Sequence, residues 1–305
     1  MTLHVIVLGS AAGGGFPQWN CGCDNCQSAR RGESGFEART QDSVAVSADG
    51  KNWFLLNASP DVLVQVQRTP ELWPTGLRDV PIAGVVLTNG DLDHCLGLFL
   101  LRESQPLTIY ATRRVEEGLR KNVALRTLER FEGHSRWHPL ALEREVELLL
   151  PSGAKSGIFV LPVAARGKPP LHLMGVMDPH EEDNILLRIR AGTRKLVYAS
   201  AVADAAPHLE EFASCDALLL DGTFWSEEEL PGLGLSLGPA KTMAHQPISG
   251  ERGTLRKLSD LKGPRRLYTH INNTNPVLNP ASPERSTLEA AGWEIARDGL
   301  RMELG

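Results

Sequence analysis

Three cysteines fall within six residues, Cys21-Gly22-Cys23-Asp24-Asn25-Cys26. A turn can bring thiols at i, i+2 and i+5 onto one ion, and Zn2+ favours tetrahedral thiolate and imidazole ligands. Three free buried thiols or a redox pair is the plainer reading. In a reducing compartment, however, clustered thiols are a liability unless ligated. No histidine lies nearby, so a fourth ligand has to come from far along the chain. A second group of donors, Asn89, Asp91, Asp93 and His94, follows the aliphatic run that ends at Thr88. Oxygen and nitrogen donors there suit a divalent metal. Equally, Asn89-Gly90-Asp91 is a turn and Asp93 a helix N-cap.

Asp221 closes Leu218-Leu219-Leu220 and precedes Gly222-Thr223, so it is a site acid or a capping acid. His270 closes Leu267-Tyr268-Thr269 and opens the Asn272-Asn273-Thr274-Asn275 loop, as a ligand or as a structural histidine. His245 in Met243-Ala244-His245-Gln246-Pro247 either meets substrate or caps the helix after it. Cys95 and Cys215 lie in apolar settings and read as core. Ala11 to Gly15 lacks the Gly-Lys-Ser ending of a phosphate loop, but its glycines let a substrate or metal loop approach the backbone closely.

The elements that carry these residues follow from apolar runs and turn chemistry. Strands are predicted at Leu3–Leu8, Ser43–Ala48, Trp53–Asn57, Ile82–Thr88, Thr108–Ala111, Val146–Leu150, Ile158–Val163 and Ile185–Ile189. Further strands are predicted at Leu196–Ala199, Ala217–Leu220, Arg266–His270, Trp293–Ala296 and Leu300–Leu304. Asp49-Gly50 marks a hairpin between the second and third. Ser59-Pro60-Asp61 opens a helix, with Ser59 as N-cap and Pro60 at its first position. Other helices are predicted over Leu96–Ser104, Arg113–Phe131, Asp204–Ala213, Gly253–Leu261 and Glu284–Ala291. Arg166–Pro170 and Ser226–Pro239 read as surface loops or a lid. Hairpins with interspersed helices disfavour a doubly wound parallel sheet and favour two mixed sheets, face to face, with helices outside.

The chain has 305 residues, 42% hydrophobic and 23% charged, enough to bury a sizeable core and to exclude intrinsic disorder. The length fits one α/β domain over 1–305. A net charge of −5 argues against non-specific nucleic-acid binding. No apolar run approaches a membrane span. Met1 to Gly9 reads as a strand rather than a signal peptide, so a cytoplasmic protein is expected. Five cysteines in that setting are not a disulfide framework.

A strand, an acid-rich turn, a histidine and a helix in this register resemble the metallo-β-lactamase superfamily, whose first metal motif reads His-x-His-x-Asp-His. Here it reads Asn89-x-Asp91-x-Asp93-His94. Within that superfamily the chain is similar to the PqqB family of pyrroloquinoline quinone (PQQ) biosynthesis. The resemblance rests on Gly9 to Cys21, the Cys21/Cys23/Cys26 spacing, Asn57 to Asp61, Asp221-Gly222-Thr223 and His270 to Pro276. It covers nearly the whole chain, with little to carry it from Thr112 to Pro179.

The resemblance implies a four-layer αββα sandwich with mixed sheets. It implies a structural zinc on Cys21, Cys23 and Cys26, closed by Asn273 or His270. Asn273 is preferred because it leaves His270 to the cleft. It implies a second metal region of Asp93, His94, Asp221 and His270, with Asp91 and with His245 beside the pocket. An imidazole-poor site argues against paired-zinc hydrolysis and suits Fe2+ with open positions. The family's implied activity is iron- and O2-dependent hydroxylation of a tyrosine ring in a Glu-Tyr-derived precursor, by a non-haem iron oxidoreductase. The alternative implied role is a non-catalytic carrier in transport of PQQ or its precursor to the periplasm. A carrier needs cations for its ligand's carboxylates, and Arg39, Arg102 and Arg285 are available. Implied partners are the peptide-derived substrate or PQQ intermediate, other PQQ biosynthesis proteins and a second copy of the chain in a homodimer.

Overall fold

The computed structural model describes residues 1–103, 105–130, 133–235 and 238–305. They form two seven-stranded sheets. The first contains β1 (Leu3–Gly9), β2 (Ser43–Ser47), β3 (Trp53–Leu56), β4 (Ile82–Val86), β5 (Leu107–Thr112) and β6 (Ser135–Leu140). The second contains β7 (Val146–Leu149), β8 (Lys155–Ala164), β9 (Ile185–Ala191), β10 (Arg194–Ala199), β11 (Ala217–Asp221), β12 (Arg265–Thr269) and β13 (Glu294–Ile295). The last strand, β14 (Arg301–Leu304), returns to the first sheet and pairs antiparallel with β1. The orders are β14-β1-β2-β3-β4-β5-β6 and β13-β12-β11-β10-β9-β8-β7. In the first sheet the pairs from β14 to β3 are antiparallel and those from β3 to β6 parallel; in the second those from β7 to β10 are antiparallel and those from β10 to β13 parallel, so both are mixed.

Strands buried on both faces explain the continuous apolar runs of the sequence. In β1, Leu3, Val5 and Val7 point to the layer between the sheets. Ile6 and Leu8 point outward, under Val62, Leu98 and Val115 of the covering helices. In β11, Ala217 and Leu219 enter the inter-sheet layer, while Leu218 and Leu220 pack outward with Phe212 and Leu288. Three apolar layers therefore separate four layers of structure, αββα, as the element order and the family resemblance imply.

Several elements differ from the sequence reading. β6 has no apolar run, because an edge strand with exposed residues and Pro139 needs none. A helix at Asp24–Arg30 follows Cys23 directly. The helix after Pro60 spans Val62–Arg68 with Asp61 at its N-cap, and Ser59 Oγ accepts from Asp61 N at 3.3 Å instead of capping it. The helix expected over Leu96–Ser104 is a short turn, Leu92–Cys95, running into 3-10 structure at Leu96–Leu100. The one expected over Arg113–Phe131 divides into Arg113–Arg120 and a 3-10 segment Val123–Glu129. The expected ends at Ser104 and Phe131 lie outside the described residues. Asp204–Ala213 and Gly253–Leu261 likewise shrink to Leu209–Ala213 and Thr254–Lys257.

Leu219, fully buried between the sheets, tests how much that layer holds. Leu219→Ala is expected to lower unfolding free energy by about 2–5 kcal/mol, read from the shift in urea midpoint at unchanged slope.

Candidate metal centre

Most of the cleft's donors lie at the carboxyl ends of strands. β1 runs into Ala11–Gly15, β3 into Asn57, β4 into Thr88–His94, β11 ends at Asp221 and β12 runs into His270. Two cross-sheet backbone bonds fasten the first and last of these loops, Ile271 N to Ser10 O and Ala12 N to Ile271 O, each 2.9 Å. The His94 turn is fastened to the end of β3. Ala58 N donates to His94 O at 2.7 Å, and Gly97 N donates to Ala58 O at 2.9 Å. A Cβ on Gly97 would stand 2.2 Å from Ser59 O, so only glycine permits this approach.

Two groups of donors meet in the cleft. Asp93, His94 and His270 place one ligand atom each within 4.8 Å of one another, and so do Asp221, His245 and His270. His270 belongs to both. Its Nε2 lies 3.1 Å from Asp93 Oδ2, which is 3.8 Å from His94 Nε2. His245 Nδ1 donates to Asp221 Oδ2 at 2.7 Å. Gly13 passes so near that a Cβ there would lie 3.3 Å from Asp93 Oδ2, the close backbone approach that the glycine loop predicts.

One nitrogen of each imidazole is fixed by a neighbour. His94 Nδ1 donates to Asn89 Oδ1 at 2.9 Å, leaving Nε2 buried and without a hydrogen-bond partner. A buried acceptor left bare among acids is costly unless something fills it, and a bound cation would. His270 Nδ1 meets Thr223 Oγ1 at 2.8 Å, and that hydroxyl donates to Asp221 Oδ1 at 2.7 Å. Metal-binding histidines are held in this way, the second nitrogen fixing the tautomer and ring. Asn89 replaces a histidine of the superfamily motif as an orienting group, its own amide donating to Asn184 Oδ1 at 3.2 Å.

Electrostatics follow from burial and opposed charge. Burial lowers His94 to about 4, against the pull of Asp93, so its ring is neutral at pH 7. Burial opposes a charge on His270 too, but the bond to Asp93 and the charges of Asp93, Asp42 and Asp221 win and raise it to about 9. Burial works to raise Asp93 and Asp221, yet the adjacent histidines hold both carboxyls below the usual range. Asp91 is raised to about 6 by burial and by Asp93. It occupies the N-cap position of the Leu92–Cys95 turn, which the sequence reading gave to Asp93, without a capping bond from its side chain, and it belongs to neither donor group.

The thiols form a separate group. Cys21, Cys23 and Cys26 place their sulfurs within 4.8 Å of one another. Asn273 reaches them across the chain, its Nδ2 3.4 Å from Cys26 Sγ and 3.9 Å from Cys23 Sγ. His270 stands with Asp93 in the cleft instead. Burial pushes the Cys23 thiol up to about 12. For Cys21 burial is outweighed by hydrogen bonds from Cys23, Cys26 and Asn273, which lower it. Cys95 and Cys215 are buried, as core residues are.

His245 is the residue the sequence placed least well, since its loop lies 24 positions after Asp221 with no periodicity to connect them. Thr223 was visible only as a neighbour of Asp221, and Asn89, expected among the donors, instead orients His94. Of the arginines expected to meet carboxylates, Arg39 donates to Ser10 and Ala296 O, and Arg285 donates to Glu289. Arg102 is exposed.

Comparison with known proteins agrees with this geometry. Residues 52–271 match the family described as Beta-lactamase superfamily domain. Coenzyme PQQ synthesis protein B of Bradyrhizobium diazoefficiens is 43% identical over 312 residues, covering 99% of this chain and 100% of that protein. The chain belongs to the coenzyme PQQ synthesis protein B family. The family's protein from Gluconacetobacter diazotrophicus is 40% identical over 306 residues, covering 98% and 99% of the two chains. A crystal structure of Zn2+-bound PqqB from Methylobacterium extorquens superposes with a TM-score of 0.91 at 40% identity, over 98% of this chain and 99% of that one. The metallo-β-lactamase fold inferred from the motifs is thereby established. No helix among the described residues is long and apolar enough to cross a membrane.

Two outcomes are expected. Cys23→Ser should lose one tightly held zinc equivalent per chain and much of the soluble yield, read by metal analysis of purified protein, because ligation energy is folding energy. In the cleft, an incoming ion must displace the proton that His270 holds below pH 9. Apparent metal affinity there should rise on the order of tenfold per pH unit between pH 6 and about 9 and then level off, measured by titration calorimetry across that range.

Proposed function

We propose that this chain acts in PQQ biosynthesis as an iron- and O2-dependent hydroxylase of the tyrosine ring in a Glu-Tyr-derived precursor. The coarser part, a role in PQQ biosynthesis alongside that pathway's other proteins, is supported by the names of full-length relatives at 40–43% identity. The chemistry is supported by one observation above all, the bare buried Nε2 of His94 among Asp93, His270, Asp221 and His245. Asn89 is spent on orienting His94, and the remaining donors form two triads that share His270.

His94, His270 and one of Asp93 or Asp221 would hold the ion, a set of two imidazoles and a carboxylate that suits Fe2+ with open positions. Bound iron would supply the redox centre for dioxygen. The reaction puts one oxygen atom in a ring C–H bond and releases the other as water, with two electrons and two protons from a soluble small-molecule reductant. The protein's own groups hold geometry and protons. Thr223 keeps His270 and Asp221 in register. Asp91, with a carboxyl near pH 6 beside the cluster, can exchange a proton with bound phenol.

Between the thiol group and the Gly13 loop lies a cavity of about 530 Å3, lined by Cys21, Cys23 and Asn273 as well as Phe224, Leu230 and Met243; none of the five cleft donors lines it. That is within the range of small-molecule sites, about 300–1,000 Å3. Phe224 also meets the His245 ring edge-on, with centroids 5.9 Å apart. Phe224 and Gly13 are the residues that join this cavity to the donors, the one through His245 and the other through Asp93. The thiol group, with Asn273, is proposed as the structural zinc site.

His94→Ala is expected to reduce hydroxylation with iron, oxygen and reductant supplied by at least about a hundredfold, while circular dichroism and zinc content stay at wild-type values. Product is counted by mass spectrometry as a gain of one oxygen. Wild-type turnover in this variant overturns the assignment. Absence of iron uptake by the wild type in an anaerobic titration overturns it in favour of the carrier role.

A further inference from the structure

The strand ends that carry the cluster are joined beneath it by a buried run of polar groups. His94 Nδ1 lies 3.4 Å from Thr88 Oγ1. The Thr88 hydroxyl and backbone N–H both donate to Asn57 Oδ1, at 3.0 and 2.9 Å. Asn57 Nδ2 donates to Tyr198 Oη at 3.1 Å, and the Tyr198 hydroxyl donates to Asp42 Oδ2. Thr269 Oγ1 donates to the other oxygen, Asp42 Oδ1, at 2.5 Å. Thr269 is followed by His270, whose φ of 56° lies in the left-handed region that a non-glycine residue adopts only when held there. The path begins at an imidazole of the first sheet and ends one residue from an imidazole of the second. Every member is buried.

Asp42 is the node. A buried carboxylate is costly, and apolar packing would fill the same space at lower cost. What a carboxylate adds is direction, because its two oxygens fix two hydroxyls at set angles in a medium where hydrogen bonds are strong. One of those hydroxyls rises from β10 and the other from the last residue of β12, while Asp42 itself precedes β2 of the opposite sheet.

We propose that Asp42 is a positioning residue. Reaching from the first sheet to Tyr198 and Thr269 of the second, it sets the spacing between the Asp93–His94 half of the cluster and the Asp221–His245–His270 half. The inference rests on the cluster being a metal site, but not on the reaction it performs.

The test uses protein whose thiol site is filled with one equivalent of Zn2+, titrated anaerobically with Co2+. Wild type is compared with Asp42→Asn, Thr269→Val and Thr269→Ser. Expected are 10–100-fold weaker Co2+ binding and a changed visible spectrum for Asp42→Asn and Thr269→Val, with near wild-type values for Thr269→Ser and zinc retained throughout. If Asp42→Asn fails to fold, the Val and Ser pair decides, since only one of them keeps the hydroxyl. Wild-type affinity and spectrum in Thr269→Val, or equal losses in Val and Ser variants that track melting temperature, overturn the positioning role. A wild type that takes up no Co2+ beyond the thiol site overturns the metal reading itself, a different failure from unchanged binding in the variants.

Discussion

No single element carries the cluster. Asp93 and His94 stand on a turn of the first sheet, whereas Asp221, His245 and His270 come from the second. Their donor atoms meet only because two seven-stranded sheets lock together in one register. The interdigitated layer of Leu3, Val5, Val46, Phe54, Leu187, Leu219 and their neighbours fixes that register. A close-packed interior transmits displacement rather than absorbing it. Small changes between the sheets therefore reach the cleft, even where no polar group is touched.

Within that frame each imidazole is held by a neighbouring polar side chain. Asn89, Thr223 and the far oxygen of Asp221 each accept or give one hydrogen bond that settles a ring. Where the superfamily motif has a histidine, Asn89 serves as an aligning group for the His94 ring. The single ring of His270 joins both donor groups.

Much of this was legible along the chain. Strands buried on both faces leave unbroken aliphatic runs, and the Asp49-Gly50 hairpin needs only local turn chemistry. Acids at strand ends announced themselves at Asp93 and Asp221. The strand Ser135–Leu140 did not, because its exposed edge imposes no hydrophobic pattern. Helices came out shorter than predicted, since Leu96–Leu100 tightens into 3-10 geometry where it presses on Ala58 and Ser59. His245 was ambiguous because a loop residue owes its place to tertiary packing alone. Asp42 gave no signal at all, as a lone acid before a strand looks like any turn residue.

His270 and Asn273 are three residues apart on one loop, the first facing the acids and the second the sulfurs. The two centres are therefore not independent compartments. An ion gripped by the sulfurs would hold the far end of that short span taut and leave His270 little freedom to swing. Because such coupling is reciprocal, an ion at either place would tighten the grip on an ion at the other by the same factor, and loss of one would loosen both.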